Sequence, residues 1–83
     1  MTLMTPTQGV MARYGLRLSV RAAAELAMVG VNTVTRFENG NTVEDLTVRR
    51  LQTAYERAGA TFLPDDGHGE GVRIRRLASD SAE

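Results

Sequence analysis

Cysteine is absent from the 83 residues, and so is lysine, so that all ten basic residues are arginine. Without cysteine there is no disulfide framework and no cysteine-based zinc site, and the composition leans towards an intracellular protein. No apolar run approaches the length of a membrane span, and the start of the chain lacks a charged segment followed by a hydrophobic one. The expectation is a cytoplasmic protein without a membrane partner. The single histidine, His68, lies among glycines and aspartates. A metal there would have only Asp65, Asp66 and Glu70 beside it, so the loop reads as a solvated turn, and no metal or cofactor is expected. Nothing resembles a nucleophile–base pair, a phosphate loop or a dinucleotide fingerprint, and an enzyme is not expected. Net charge is zero, which argues against a protein that coats nucleic acid along its whole surface. The charge is unevenly placed, however. Residues 1–42 hold Arg13, Arg17, Arg21 and Arg36 against Glu25 and Glu38, a local excess of two positive charges, whereas 43–70 is acidic.

What the chain does contain is helix punctuation. Its length allows one domain with a modest core. Met1 to Met4 read as a frayed start. Thr5, Pro6 and Gln8 form a helix-start signal with the spacing of a capping box. A first helix is expected from about Pro6 to Tyr14 or Leu16, burying Val10, Met11 and Tyr14. Ser19 is a second N-cap candidate and opens an alanine-rich helix to Ala27, whose small side chains permit close approach of a neighbour. Met28-Val29-Gly30 forms a break. A third helix then begins at Val31, with Val34 and Phe37 continuing one apolar stripe, and Gly40 stands where it should stop. Val43, Leu46, Val48, Leu51, Ala54, Tyr55 and Ala58 recur at helical spacing, so a fourth helix is expected from Val43 or Leu46 to Ala58, with Gly59 just beyond it. The period then changes. Ala60-Thr61-Phe62-Leu63 and the alternating Val72-Arg73-Ile74-Arg75 flank a turn-rich segment, the pattern of a β-hairpin over 60–76. Residues 77–83 read as a disordered tail.

Between Val31 and Gly40 the polar side chains are Asn32, Thr33, Thr35, Arg36 and Asn39, with Glu38 the one acid. Asn and Arg can each form two hydrogen bonds with a base edge in the DNA major groove, and Thr offers a hydroxyl and a methyl. Two short helices joined by a three-residue break fit a helix-turn-helix inside a small bundle. From about Thr5 to Arg75 the sequence resembles small bacterial Xre/Cro-type helix-turn-helix transcriptional regulators that end in a β-hairpin. The segments that carry the resemblance are Thr5-Pro6-Thr7-Gln8, Leu18-Ser19-Val20-Arg21, Asn32 to Gly40, Thr47 to Leu51 and Gly59 to Leu63. It departs from the usual pattern at Val20, where glutamine is common, at Ala23, and at Met28-Val29-Gly30, which replaces Gly-Val-Ser. Met28 would then adopt backbone geometry normally taken by glycine.

The resemblance implies a mainly α fold. Residues 1–59 would be a four-helix, Xre/Cro-like DNA-binding bundle, followed by the short C-terminal hairpin. It implies that Ser19 and Arg21 touch phosphates and that Asn32, Thr33, Thr35 and Arg36 face bases or adjacent phosphates. Asn39, Asn41 and Thr42 would lie near the DNA backbone. Glu38 would repel phosphate, so it is expected to pair with a nearby arginine or cap a backbone group.

The function expected is that of a nucleoid-associated regulator, a repressor or autoregulator of the kind found in mobile elements, reading an inverted-repeat operator on double-stranded DNA as a homodimer. Phe62, Val72 and Ile74 are candidates for the dimer contact, with packing on their own bundle the equal alternative. No small-molecule effector is evident. The competing expectation is a protein-interaction module, such as an antitoxin, built on the same fold.

Overall fold

The computed structural model describes residues 2–75; the expected disordered tail, 77–83, and Arg76 lie outside them. Helix α1 (Pro6–Gly15) starts as its sequence demands. The Thr5 hydroxyl accepts the Gln8 N–H at 3.1 Å, while the Gln8 side chain accepts the Thr5 N–H at 3.0 Å. Ser19 caps α2 (Val20–Ala27) by accepting the Ala22 N–H at 3.0 Å. That helix stops at Met28, whose φ of 59° and ψ of 46° are the left-handed geometry expected of it. Gly30 precedes α3 (Val31–Glu38) without any side-chain cap. Helix α4 (Asp45–Arg57) follows, and Gly59, at φ 122°, turns the chain directly into a hairpin.

Strands β1 (Ala60–Leu63) and β2 (Gly71–Ile74) run antiparallel, with Ala60 opposite Ile74 and Phe62 opposite Val72. The Arg75 N–H donates to the Gly59 carbonyl at 2.8 Å and carries the pairing one residue further. The fold is therefore a small, mainly helical domain of four helices and a two-stranded hairpin.

The core lies where α2, α3 and α4 meet α1. Ala23, Ala24 and Ala27 turn inward from α2, Val34 and Phe37 from α3, and Val48, Leu51 and Tyr55 from α4. Small residues set the spacing. A Cβ at Gly9 would stand 2.8 Å from Cε2 of Phe37, so the α1 backbone lies directly against the ring.

The hairpin joins this core through Phe62, Val72 and Ile74, each half-buried against it. Gln8, itself buried, donates from Nε2 to the carbonyls of Leu63 at 2.9 Å and Gly71 at 3.1 Å, one on each strand. An isolated two-stranded hairpin is marginal in water, and this one is pinned by α1.

Four sequence expectations differ in detail. Tyr14 is 68% exposed, because α1 buries Gln8, Gly9, Ala12 and Arg13 instead; the two polar members of that stripe find partners across the fold. Met4 is not frayed but buried, its N–H donating to Gln52 Oε1 at 2.9 Å. Val31 and Leu46, each placed in an apolar seam by spacing, occupy the first turns of α3 and α4 and face solvent.

Candidate nucleic-acid interface

Helix α3 has two unlike sides. Val34 and Phe37 hold it to the core, and away from them Asn32, Thr35, Arg36 and Asn39 stand exposed. Their spacing of i, i+3, i+4 and i+7 forms one continuous stripe. Thr33 lies at its margin, half-buried. Arg36 donates from Nη2 to the Thr42 carbonyl at 3.2 Å, which links the stripe to the segment after Gly40. Asn41 and Thr42 in that segment are exposed, as are Ser19 and Arg21 at the start of α2. The α2 and α3 helices pack together across the Met28–Gly30 link, and of the nine residues expected at a DNA surface eight are exposed and only Thr33 is partly covered.

Glu38 is removed from this face by a specific contact. Arg13 grips it through two bonds, Nε to Oε2 at 2.6 Å and Nη2 to Oε1 at 3.0 Å, and uses Nη1 to hold the Leu18 carbonyl at 3.1 Å. Both side chains are nearly buried, 10% and 11% exposed. The hydrogen bond to Glu38 holds the Arg13 guanidinium well above its ordinary pKa, with burial opposing it. With Glu38 paired, the exposed charges from Gly15 to Thr42 are Arg17, Arg21 and Arg36 against Glu25 alone.

Arg17 was not singled out by the sequence. It takes the left-handed φ of 62° that turns the chain between α1 and α2, and no residue-type signal marks an arginine for that role. Arg13 was likewise missed, because an arginine in the middle of a helix ordinarily reads as a solvated residue.

Phe62, Val72 and Ile74 are half-buried, packed against their own bundle. In the hairpin loop, Asp65 accepts the N–H groups of Gly67 at 2.8 Å and Gly69 at 2.9 Å, and these bonds hold its carboxyl below its ordinary value. Asp66 accepts the His68 N–H at 3.0 Å. These carboxylates organise their own loop, and among the described residues no group of three or more His, Cys, Asp or Glu is placed to hold a metal ion. No helix among them is long and apolar enough to cross a membrane. No family model matches the chain, and no curated protein matches it either.

Proposed function

We propose that the protein is a sequence-specific DNA-binding transcriptional regulator of the Xre/Cro helix-turn-helix type, with α2 as the supporting helix and α3 as the recognition helix. The observation that carries this reading is the exposed stripe Asn32, Thr35, Arg36 and Asn39 on a helix anchored by Val34 and Phe37. Asn32 and Arg36 are suited to base edges, and Ser19, Arg21, Asn39, Asn41 and Thr42 to the flanking phosphates. Thr33 is suited to a base methyl at the margin. The pairing of Glu38 with Arg13 supports the reading, since it takes the one acidic side chain of α3 out of a phosphate-facing surface.

A single eight-residue helix reads few base pairs, so the protein acts as a homodimer on two half-sites about one helical turn apart. For Phe62, Val72 and Ile74 the two readings are a dimer contact and packing on their own bundle. Their half-burial within one chain supports packing more directly than pairing, and sedimentation of the purified protein separates the two.

The test is a footprint on the DNA upstream of the protein's own gene, with retardation measured at two salt concentrations. Two symmetry-related protections are expected, with affinity falling steeply as salt rises. Asn32→Ala and Arg36→Ala should each weaken specific binding by roughly 5- to 150-fold, the worth of a base-edge contact. If neither changes it, α3 does not read the DNA. If no duplex is retarded even at low salt, a protein partner, as for an antitoxin, replaces DNA in this reading.

A further inference from the structure

Between the end of α2 and the length of α4 lies an open groove of about 600 Å³. Leu26, Met28 and Leu46 line it, and they are 55%, 82% and 63% exposed. Arg49, Arg50 and Arg57 rim it, and its floor includes Ala27 and Ala54. Exposed apolar residues scattered singly are ordinary, whereas these three share one groove with a rim of like charge. Neither leucine is needed by the core. Helix α4 packs inward through Val48, Leu51, Gln52 and Tyr55, and α2 through its three alanines. Met28 adds a cost, since a left-handed backbone at a residue other than glycine is unfavourable by roughly 1 kcal/mol or more, and it projects its side chain to solvent all the same.

We propose that this groove docks an acidic, amphipathic helix of a protein partner. Charge selects the occupant. Among the described residues none of the three rim arginines forms an ion pair. Two copies of the chain meeting through this same face would oppose arginine with arginine, whereas a helix with glutamates flanking an apolar stripe answers both the rim and the floor. The dimensions fit. From Leu46 to Arg57 the groove follows α4 for about 16 Å, long enough for anchors at i, i+4 and i+7 of a bound helix. The groove shares no residue with the nine proposed for DNA, so the inference stands or falls separately from the DNA reading.

The test uses the full chain and a labelled synthetic helical peptide of about 16 residues, leucines on one face and glutamates beside them. Its controls are a scrambled peptide of equal composition and a lysine-for-glutamate version. Binding is followed by fluorescence anisotropy, and the contact is located by amide chemical shifts. The expected result is saturable binding of the first peptide alone, with shifts at Leu26, Met28 and Leu46. Leu46→Glu and Arg50→Glu should each weaken it at least tenfold while circular dichroism stays native, and Arg36→Ala should leave it unchanged. Equal binding of the scrambled peptide, no saturable binding, or indifference to both groove variants overturns the proposal. Self-association abolished by Leu46→Glu would assign the groove to a second copy instead. Competition for it by duplex DNA of arbitrary sequence would assign the rim to phosphate.

Discussion

Replacing Arg13 by methionine is expected to be among the most damaging single changes in this domain, although the hydrophobicity of the side chain rises. The guanidinium and the Glu38 carboxylate share two short bonds and are about nine-tenths withdrawn from water. Taking away the arginine leaves a carboxylate that can neither hydrate fully nor pair. Breaking a buried pair from one side costs about 3–5 kcal/mol, and a further bond, to the Leu18 carbonyl, is lost with it. A domain of this length has a total stability of roughly 4–12 kcal/mol, so Arg13→Met should sit near the edge of unfolding. The double variant Arg13→Met/Glu38→Met removes both charges, and it should recover to within about 1–2 kcal/mol of the native protein because no orphaned ion remains. Urea unfolding of the native protein, Arg13→Met, Glu38→Met and the double variant at neutral pH closes the cycle, with slopes compared to check that the unfolded states match. A coupling below about 0.5 kcal/mol would refute the reasoning, since that is the behaviour of a solvated surface pair. Duplex binding by the refolded double variant is a further check, because a Glu38 whose role is confined to the pair has no contact with DNA to lose.

Other perturbations follow from equally local geometry. The Tyr55 hydroxyl is buried with no hydrogen-bond partner among the described residues, and burial first, then the Glu38 charge, push its pKa up from 10 to about 12, with Arg13 opposing. Below the unfolded value both states hold the proton, but as pH rises above it the unfolded chain loses its proton first. Tyr55 therefore stabilises the fold fully at pH below about 10 and less above, by about 1.4 kcal/mol at pH 11; Tyr55→Phe should lack this loss in urea titrations, and an identical alkaline loss in both proteins would count against it. Gly9→Ala gains about 1 kcal/mol in helix propensity but sets a methyl 2.8 Å from the Phe37 ring, an overpacking of about 1–3 kcal/mol. A lowered melting temperature is expected, and a raised one would mean that the ring moves aside. Met28→Gly should raise the melting temperature by roughly 4–8 °C, the equivalent of about 1 kcal/mol in a domain of this size; a fall would show that Met28, exposed as it is, packs on the fold.

Local order was legible because the forces that set it are local. The capping box at Thr5 and Gln8 and the Ser19 cap each close over three residues, so residue type and spacing suffice to place a helix start. The break at Met28-Val29-Gly30 was legible in the residues, whereas the left-handed geometry of Met28 was implied only by the resemblance, which sets Met28 where glycine is usual. The two-sided character of α3 also came through, since 3.6-residue periodicity sorts Val34 and Phe37 from Asn32, Thr35, Arg36 and Asn39 without knowledge of any neighbour.

Which polar groups go inside was a different matter. Gln8 enters the core to hold carbonyls 55 and 63 residues away, Met4 is fastened to Gln52 over 48 residues, and Arg13 reaches Glu38 over 25. Hydropathy assigns Gln8, Gln52 and Arg13 to water, which phases the first helix towards Tyr14 rather than Arg13. The same blindness applied to Leu46 and to the arginine-rimmed groove, which lies largely within a segment whose overall charge is acidic. The sequence alone determined where α1, α2, α3 and β1 begin and which side of α3 is polar, because those depend on contacts within a turn or two, and it left the uncapped start of α4 between Val43 and Leu46. Tertiary structure decided which charges are cancelled in the interior and which apolar side chains are left in solvent, because burial is a property of partners brought together from distant parts of the chain.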